Sequence, residues 1–213
     1  MNLNELFNIQ AKLDERIEKE HGLEGQDLLD KKILALQVEL GELANEQRSW
    51  KFWSKDQEPT KKKNVYLECG ACEGSGIDEC KSDEILETVT CEECEGDGDL
   101  GIAYTKNPLL EEYVDCLHFI LSIGNDIFVE EHEFSDLHCE DSVTECFLEV
   151  FESVNELCNE INFGNSYDSE EKYTFLVEDF IVLGKELGFT WNQIEQAYLD
   201  KNKINHERQN TGY

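Results

Sequence analysis

Positive charge is what this chain lacks most. Lysine and arginine number 18 against 49 aspartates and glutamates, a formal net charge of −31 over 213 residues. A field of that sign repels nucleic acid and anionic membrane surfaces, so neither is expected as a partner. An anionic small molecule can bind only through a metal ion or a few well-placed cations. Proline is nearly absent, with only Pro59 and Pro108, which excludes a proline-rich linker. No apolar run is long enough to span a bilayer, and no basic-then-apolar leader is present, so a cytoplasmic protein is expected. Hydrophobic residues at 39% and aromatics at 10% suffice for a buried core and exclude a disordered acidic chain.

What is present is mostly helical periodicity. Leu3, Leu6, Phe7, Ile9, Leu13 and Ile17 predict a first helix that stops at His21-Gly22. A second is expected from about Leu28 to Arg48, and a third from Pro108 to about Val129, with proline in its first turn. Phe147, Val150, Phe151, Val154, Leu157 and Ile161 form one stripe of a fourth helix over 142–161. A turn over 164–169 leads to a fifth helix capped by Ser169, and Gly188 stops it. Thr190 and Gln193 form the capping box of a sixth, from Trp191 to about Lys203. The remaining tail, Asn205 to Tyr213, has no apolar periodicity.

Two acidic pairs stand out: Glu39 with Glu42, and Glu112 with Asp115. Residues three apart share a helix face, so each pair points two carboxylates one way. Both lie beside apolar runs, Ile33 to Val38 and Leu117 to Leu121. Gathering four carboxylates there is costly without a cation, and oxygen-only ligands suit a hard ion such as Mg²⁺. Either pair alone reads more readily as exposed glutamate on an amphipathic helix; both together favour a metal site.

The stretch from about 55 to 106 differs. It holds five of the nine cysteines and six of the 14 glycines, with β-prone pieces at 64–67 and 87–90. Cys69, Cys72, Cys91 and Cys94 form two CxxC pairs with 18 residues between them, the spacing of a closed four-cysteine structural zinc site. Each pair runs into Gly-x-Gly, so the unit resembles the zinc repeats of DnaJ-type chaperones. An insertion so poor in large apolar residues needs such a staple. Cys80 is expected to be free, and Cys116, Cys139, Cys146 and Cys158 to be ordinary thiols. The expected architecture is all-α, a bundle of about six helices over 1–54 and 107–213, with a zinc-binding insertion over 55–106 that contains short β-strands.

Three strings carry a family resemblance. Ile33 to Glu46 followed by Trp50-Lys51-Phe52-Trp53, then Leu110 to Ser122, then Tyr198 to Tyr213 resemble the dimeric all-α dUTPases, in that family's order. MazG-like pyrophosphatases are wider relatives without the tail. The resemblance implies Mg²⁺-dependent hydrolysis of dUTP, and of dUDP, to dUMP by a homodimer. It implies two or three Mg²⁺ on Glu39, Glu42, Glu112 and Asp115. On that resemblance Glu39 and Glu42 would be the catalytic pair, with Glu42 orienting or deprotonating the water and Glu46 a supporting acid. Lys201, Asn205 and Arg208 would close over the phosphates, and Lys51 beside Trp50 and Trp53 would join them. Gln10, His118 and Asn125 would meet the nucleoside. Asp14 stands where many relatives have asparagine, so dCTP or another nucleotide remains an alternative substrate. A non-catalytic acidic adaptor remains an alternative role.

Overall fold

The computed structural model describes residues 3–81, 86–127, 142–164 and 168–212, and for 78–81 and 86–88 the backbone alone. Cys139, the Cys80 side chain, the expected end of the third helix at Val129 and part of the 164–169 turn lie outside the described residues. Two compact units divide the chain, Met1–Thr60 with Leu109–Tyr213, and Lys61–Pro108.

The first unit is an all-α bundle. Its described helices are α1 (Leu3–His21), α2 (Leu29–Gln47), α3 (Pro108–Asp126), α4 (Val143–Phe163), α5 (Ser169–Glu186) and α6 (Trp191–Thr211). The core runs through all of them, from Leu6 on α1 to Tyr198 on α6. Most of α3 is buried: Tyr113, Val114, Cys116, Ile120, Leu121 and Ile123 are each 1% exposed or less. A helix apolar on nearly every side belongs at the centre of a bundle.

Two tyrosines lock α3 to α5. Tyr113 on α3 donates to the Phe180 carbonyl of α5 at 3.0 Å, and Tyr173 on α5 donates to the Ile120 carbonyl of α3 at 2.9 Å. Each ring needs a glycine on the opposite helix. A Cβ on Gly184 would lie 2.4 Å from the Tyr113 hydroxyl, and one on Gly124 would lie 2.3 Å from that of Tyr173. Helix-interior glycine costs about 1 kcal/mol, and here it makes room for two buried, hydrogen-bonded aromatics.

Two expectations are corrected. Ser169 is the first residue of α5 rather than its cap, and the cap position, Asp168, makes no side-chain capping bond. The tail is helical: α6 continues to Thr211, eight residues beyond the expected end at Lys203. Its outer turns carry no apolar stripe because polar contacts hold them to α1. Arg16 reaches His206 at 3.3 Å and Asn210 at 2.6 Å, and His21 meets Gln209 at 3.1 Å.

The second unit holds two antiparallel ribbons. β1 (Lys63–Glu68) pairs with β4 (Asp99–Lys106), and β2 (Ile77–Lys81) with β3 (Leu86–Thr90). The sequence signals marked β1 and β3 but not their partners. At the edge of the helical unit the chain leaves and returns at one point. The Thr60 N–H donates to the Glu46 carbonyl at 2.9 Å, and the Leu109 N–H to the Thr60 carbonyl at 3.2 Å.

Replacing Gly184 or Gly124 with alanine should overpack the α3–α5 contact and lower stability by about 1–3 kcal/mol, read from the urea midpoint. A variant as stable as the parent would mean that the tyrosines are free to move aside.

Candidate active site and cysteine cluster

The acids are placed by the core beneath them. On α2, Leu36, Leu40 and Leu43 are fully buried, which turns Glu39 and Glu42 to the opposite side of the same turns. On α3, Leu109, Tyr113 and Cys116 do the same for Glu112 and Asp115. One carboxylate oxygen from each of Glu39, Glu42 and Glu112 falls within 4.8 Å of the others. Asp115 is held a little apart, in an ion pair with Lys201 of α6.

The electrostatics report crowding. Burial, then Asp115, Glu42 and Glu39, push the Glu112 carboxyl up to about 7. Burial, then Asp115 and Glu42, raise Glu39. Burial raises Asp115 as well, against the pull of Lys201 and Arg208. Carboxylates that approach this closely must share protons or gain a cation. A hard divalent ion with oxygen ligands fits the donor set.

Beside the acids lies a cavity of about 360 Å³ lined by Gln10, Asp14, Glu39, Asp115, His118, Ser122, Lys201, Asn205 and Arg208, with Leu13, Ile17 and Phe119 as its apolar wall. Lys201, Asn205 and Arg208 are spaced i, i+4, i+7, one face of α6, which is why the polar tail must be helical. Gln10 and His118 are joined at its inner end: His118 Nδ1 lies 2.7 Å from Gln10 Oε1, which also accepts from the Tyr198 hydroxyl at 2.8 Å. Two expected residues are elsewhere. Lys51 sits 5.4 Å over the Trp50 ring and reaches the Asn45 carbonyl. Asn125 donates to the Phe7 carbonyl at 3.2 Å and ties α3 to α1. Trp50 and Trp53 form an exposed edge-to-face pair. Sequence reasoning missed Ser122 and Tyr198. Neither carried a signal, because a serine or tyrosine on an apolar helix reads as packing.

In the second unit the four cysteines are buried, free of disulfides and mutually within 4.8 Å at sulfur. Cys69 and Cys91 sulfurs are 3.9 Å apart, and those of Cys72 and Cys94 3.7 Å. Zinc–sulfur bonds of about 2.3 Å at tetrahedral angles give edges of about 3.8 Å, so the cluster has the size of a zinc site. The two knuckles mirror each other. Gly76 N–H points to Cys72 sulfur and Gly98 N–H to Cys94 sulfur, both at 3.3 Å. Burial raises the Cys72 thiol, yet Gly76 and the neighbouring thiols outweigh it and bring it down to about 7. A Cβ on Gly76 would lie 2.3 Å from the Gly96 carbonyl, and one on Gly98 2.5 Å from that of Gly74. That close crossing of backbones explains the Gly-x-Gly after each pair.

A family model described as dUTPase matches residues 2–70 and 103–213. The match covers the helical bundle and leaves out Cys72, Cys91 and Cys94. No curated protein matches the chain.

The cysteine geometry predicts one tightly held zinc per chain by elemental analysis. Its removal by a strong chelator should abolish amide-exchange protection in β1 and β4 and spare α2 and α3. Protein purified without added metal that contains no zinc, yet keeps β1 and β4 protected, would contradict this.

Proposed function

We infer that this chain, which belongs to the dUTPase family, hydrolyses dUTP to dUMP and pyrophosphate with Mg²⁺, and accepts dUDP by the same route. Family membership supports a nucleotide pyrophosphatase. The observation that carries the finer reading is a single cavity lined by Glu39 of α2, Asp115 of α3 and Lys201, Asn205 and Arg208 of α6.

Glu39, Glu42, Glu112 and Asp115 would hold two or three Mg²⁺. Bound there, the ions supply charge neutralisation and Lewis-acid polarisation of the phosphate oxygens. The protein's own groups do the rest. Arg208 offers a bidentate fork to a phosphate and Lys201 a point charge. Lys201, paired with Asp115 in the free protein, exchanges that carboxylate for a phosphate oxygen. Glu42, the most exposed member of the trio, would orient the attacking water and take its proton. Gln10 and His118 hold the base at the inner end. Cys69, Cys72, Cys91 and Cys94 would supply all four ligands of a zinc ion, which would then leave no open position for chemistry and would serve structure. Leu34, Val38 and Leu148, exposed by 61%, 52% and 63% on the packed pair α2 and α4, support the homodimer that the resemblance implies.

Pyrophosphate release measured with dUTP, dCTP, dTTP and UTP, with and without Mg²⁺, tests the assignment; dUTP with Mg²⁺ should be preferred. Glu112→Gln should cut turnover by about a hundredfold or more. It should also raise the melting temperature of the metal-free protein, because a repelling charge is lost. Unchanged turnover in Glu112→Gln would remove the carboxylate cluster from the reaction.

A further inference from the structure

The inner end of the cavity holds two polar atoms that the protein leaves without a hydrogen bond: Asp14 Oδ2 and His118 Nε2, both buried. Leaving such atoms dry and unpaired is costly, so a site that presents both expects a ligand to pair them.

The network behind them fixes what each can offer. Gln10 Nε2 donates to Asp14 Oδ1 at 2.7 Å, and Gln10 Oε1 accepts from Tyr198 at 2.8 Å. His118 Nδ1 faces that same oxygen at 2.7 Å. A carbonyl oxygen only accepts, so Nδ1 carries the proton. Burial, helped by Lys201, brings the imidazole down to about 3, so the ring is neutral and Nε2 presents a lone pair. Tyr198, stacked on the ring at 4.2 Å, holds it in place. His118 therefore takes a donor from the ligand. On the base of the proposed substrate that donor is N3–H, which is flanked by carbonyls on both sides. The neighbouring protein atom must then donate, and an ionised carboxylate cannot.

We propose, building on the dUTP reading above, that Asp14 selects the base as a neutral carboxylic acid, its Oδ2–H donating to a uracil carbonyl while His118 Nε2 accepts the adjacent N3–H. A cytosine would set its bare N3 against the His118 lone pair and is disfavoured. Binding takes one proton from solvent onto Asp14. The surroundings permit it. Burial raises the Asp14 carboxyl; Ser122, Gln10 and Lys32 pull it down, and Asp126 pushes it up. Lys32 of α2 is itself paired with Asp126 of α3 at 2.7 Å. From α6, Tyr198 is neutral, and Lys201 and Arg208 share the cavity. A carbonyl placed against Oδ2 lifts the carboxyl further. At saturating Mg²⁺ the contribution of Asp14 to dUTP affinity is then full below the pKa of free Asp14 and falls about tenfold per pH unit above it, until the pKa of the complex is reached.

Calorimetry with Mg²⁺ and the non-hydrolysable α,β-imido analogue of dUTP, in two buffers of different ionisation enthalpy, measures the proton directly. Wild type should take up about one proton more than Asp14→Asn, whose amide donates without titrating. In parallel, KM for dUTP should rise with pH in the wild type and not in Asp14→Asn, which should bind the more tightly of the two at alkaline pH. Equal proton uptake, or a wild-type KM that stays flat with pH, overturns the proposal. The wild-type KM profile serves even if the variant does not fold. Absence of dUTP turnover by the wild type would instead overturn the substrate assignment itself.

Discussion

Carboxylates gather in a protein only when something forces them together, and four of them on two helices constrain everything near Glu39, Glu42, Glu112 and Asp115. The force is apolar burial one turn away. Leu36, Leu40 and Leu43 on α2, and Leu109, Tyr113 and Cys116 on α3, are 0–1% exposed. Their packing fixes where the acids stand, whatever the acids prefer. The repulsion that results is visible in Glu112, pushed up to about 7. Lys201 answers part of it by pairing with Asp115. If the acids hold metal as proposed, a bundle built this way would accept a less stable metal-free state in return for ligands that need little rearrangement.

That division of labour decides what could be read from the sequence. The core helices were legible because hydrophobic periodicity is what drives them: α1, α2, α4 and the start of α6 fell within two residues of expectation. The acid pairs were legible because i, i+3 spacing beside apolar runs is unusual. The outer half of α6 was not. Its helix is maintained by Arg16, His206, Asn210, His21 and Gln209, and no apolar period records such contacts. The Tyr113–Gly184 and Tyr173–Gly124 pairings were equally hidden, since a helix-interior glycine has no meaning until the ring opposite it is known. Asp14 was legible as an oddity, and only the orphaned Oδ2 beside His118 gave it a role.

The insertion raises a different physical question: how some fifty residues can sit between the two acid-bearing helices without loosening them. The backbone answers it at Thr60, which receives Leu109 and binds Glu46. With the neck closed, the remaining cost of a long loop grows only with the logarithm of its length. The ribbons beyond the neck bury little apolar surface. Ile102, Tyr104, Tyr66 and Leu67 are all more than half exposed. Two β-ribbons with so small a core require the cysteine cluster. The two knuckles cross at glycine backbones because no side chain fits between them.

The −31 charge and the polyphosphate substrate look incompatible until their ranges are compared. At physiological salt the diffuse field decays over about 8 Å, so it slows the approach of an anion more than it weakens the final complex. Several cations outside the cavity are already committed: Lys32 to Asp126, Arg48 to Asp56 and Lys172 to Glu156. Lys201 and Arg208 line the cavity beside Glu39 and Asp115. Two such cations, one of them already paired with Asp115, cannot offset Glu39, Asp115 and the neighbouring Glu42 and Glu112 as well as a bound triphosphate. Divalent ions held by the acids would reverse the local sign, and the cavity would then attract a polyphosphate along its whole length. On the Mg²⁺ reading proposed above, metal loading would therefore be the condition for substrate binding as well as for chemistry, and the acidity of the rest of the molecule would sharpen that dependence.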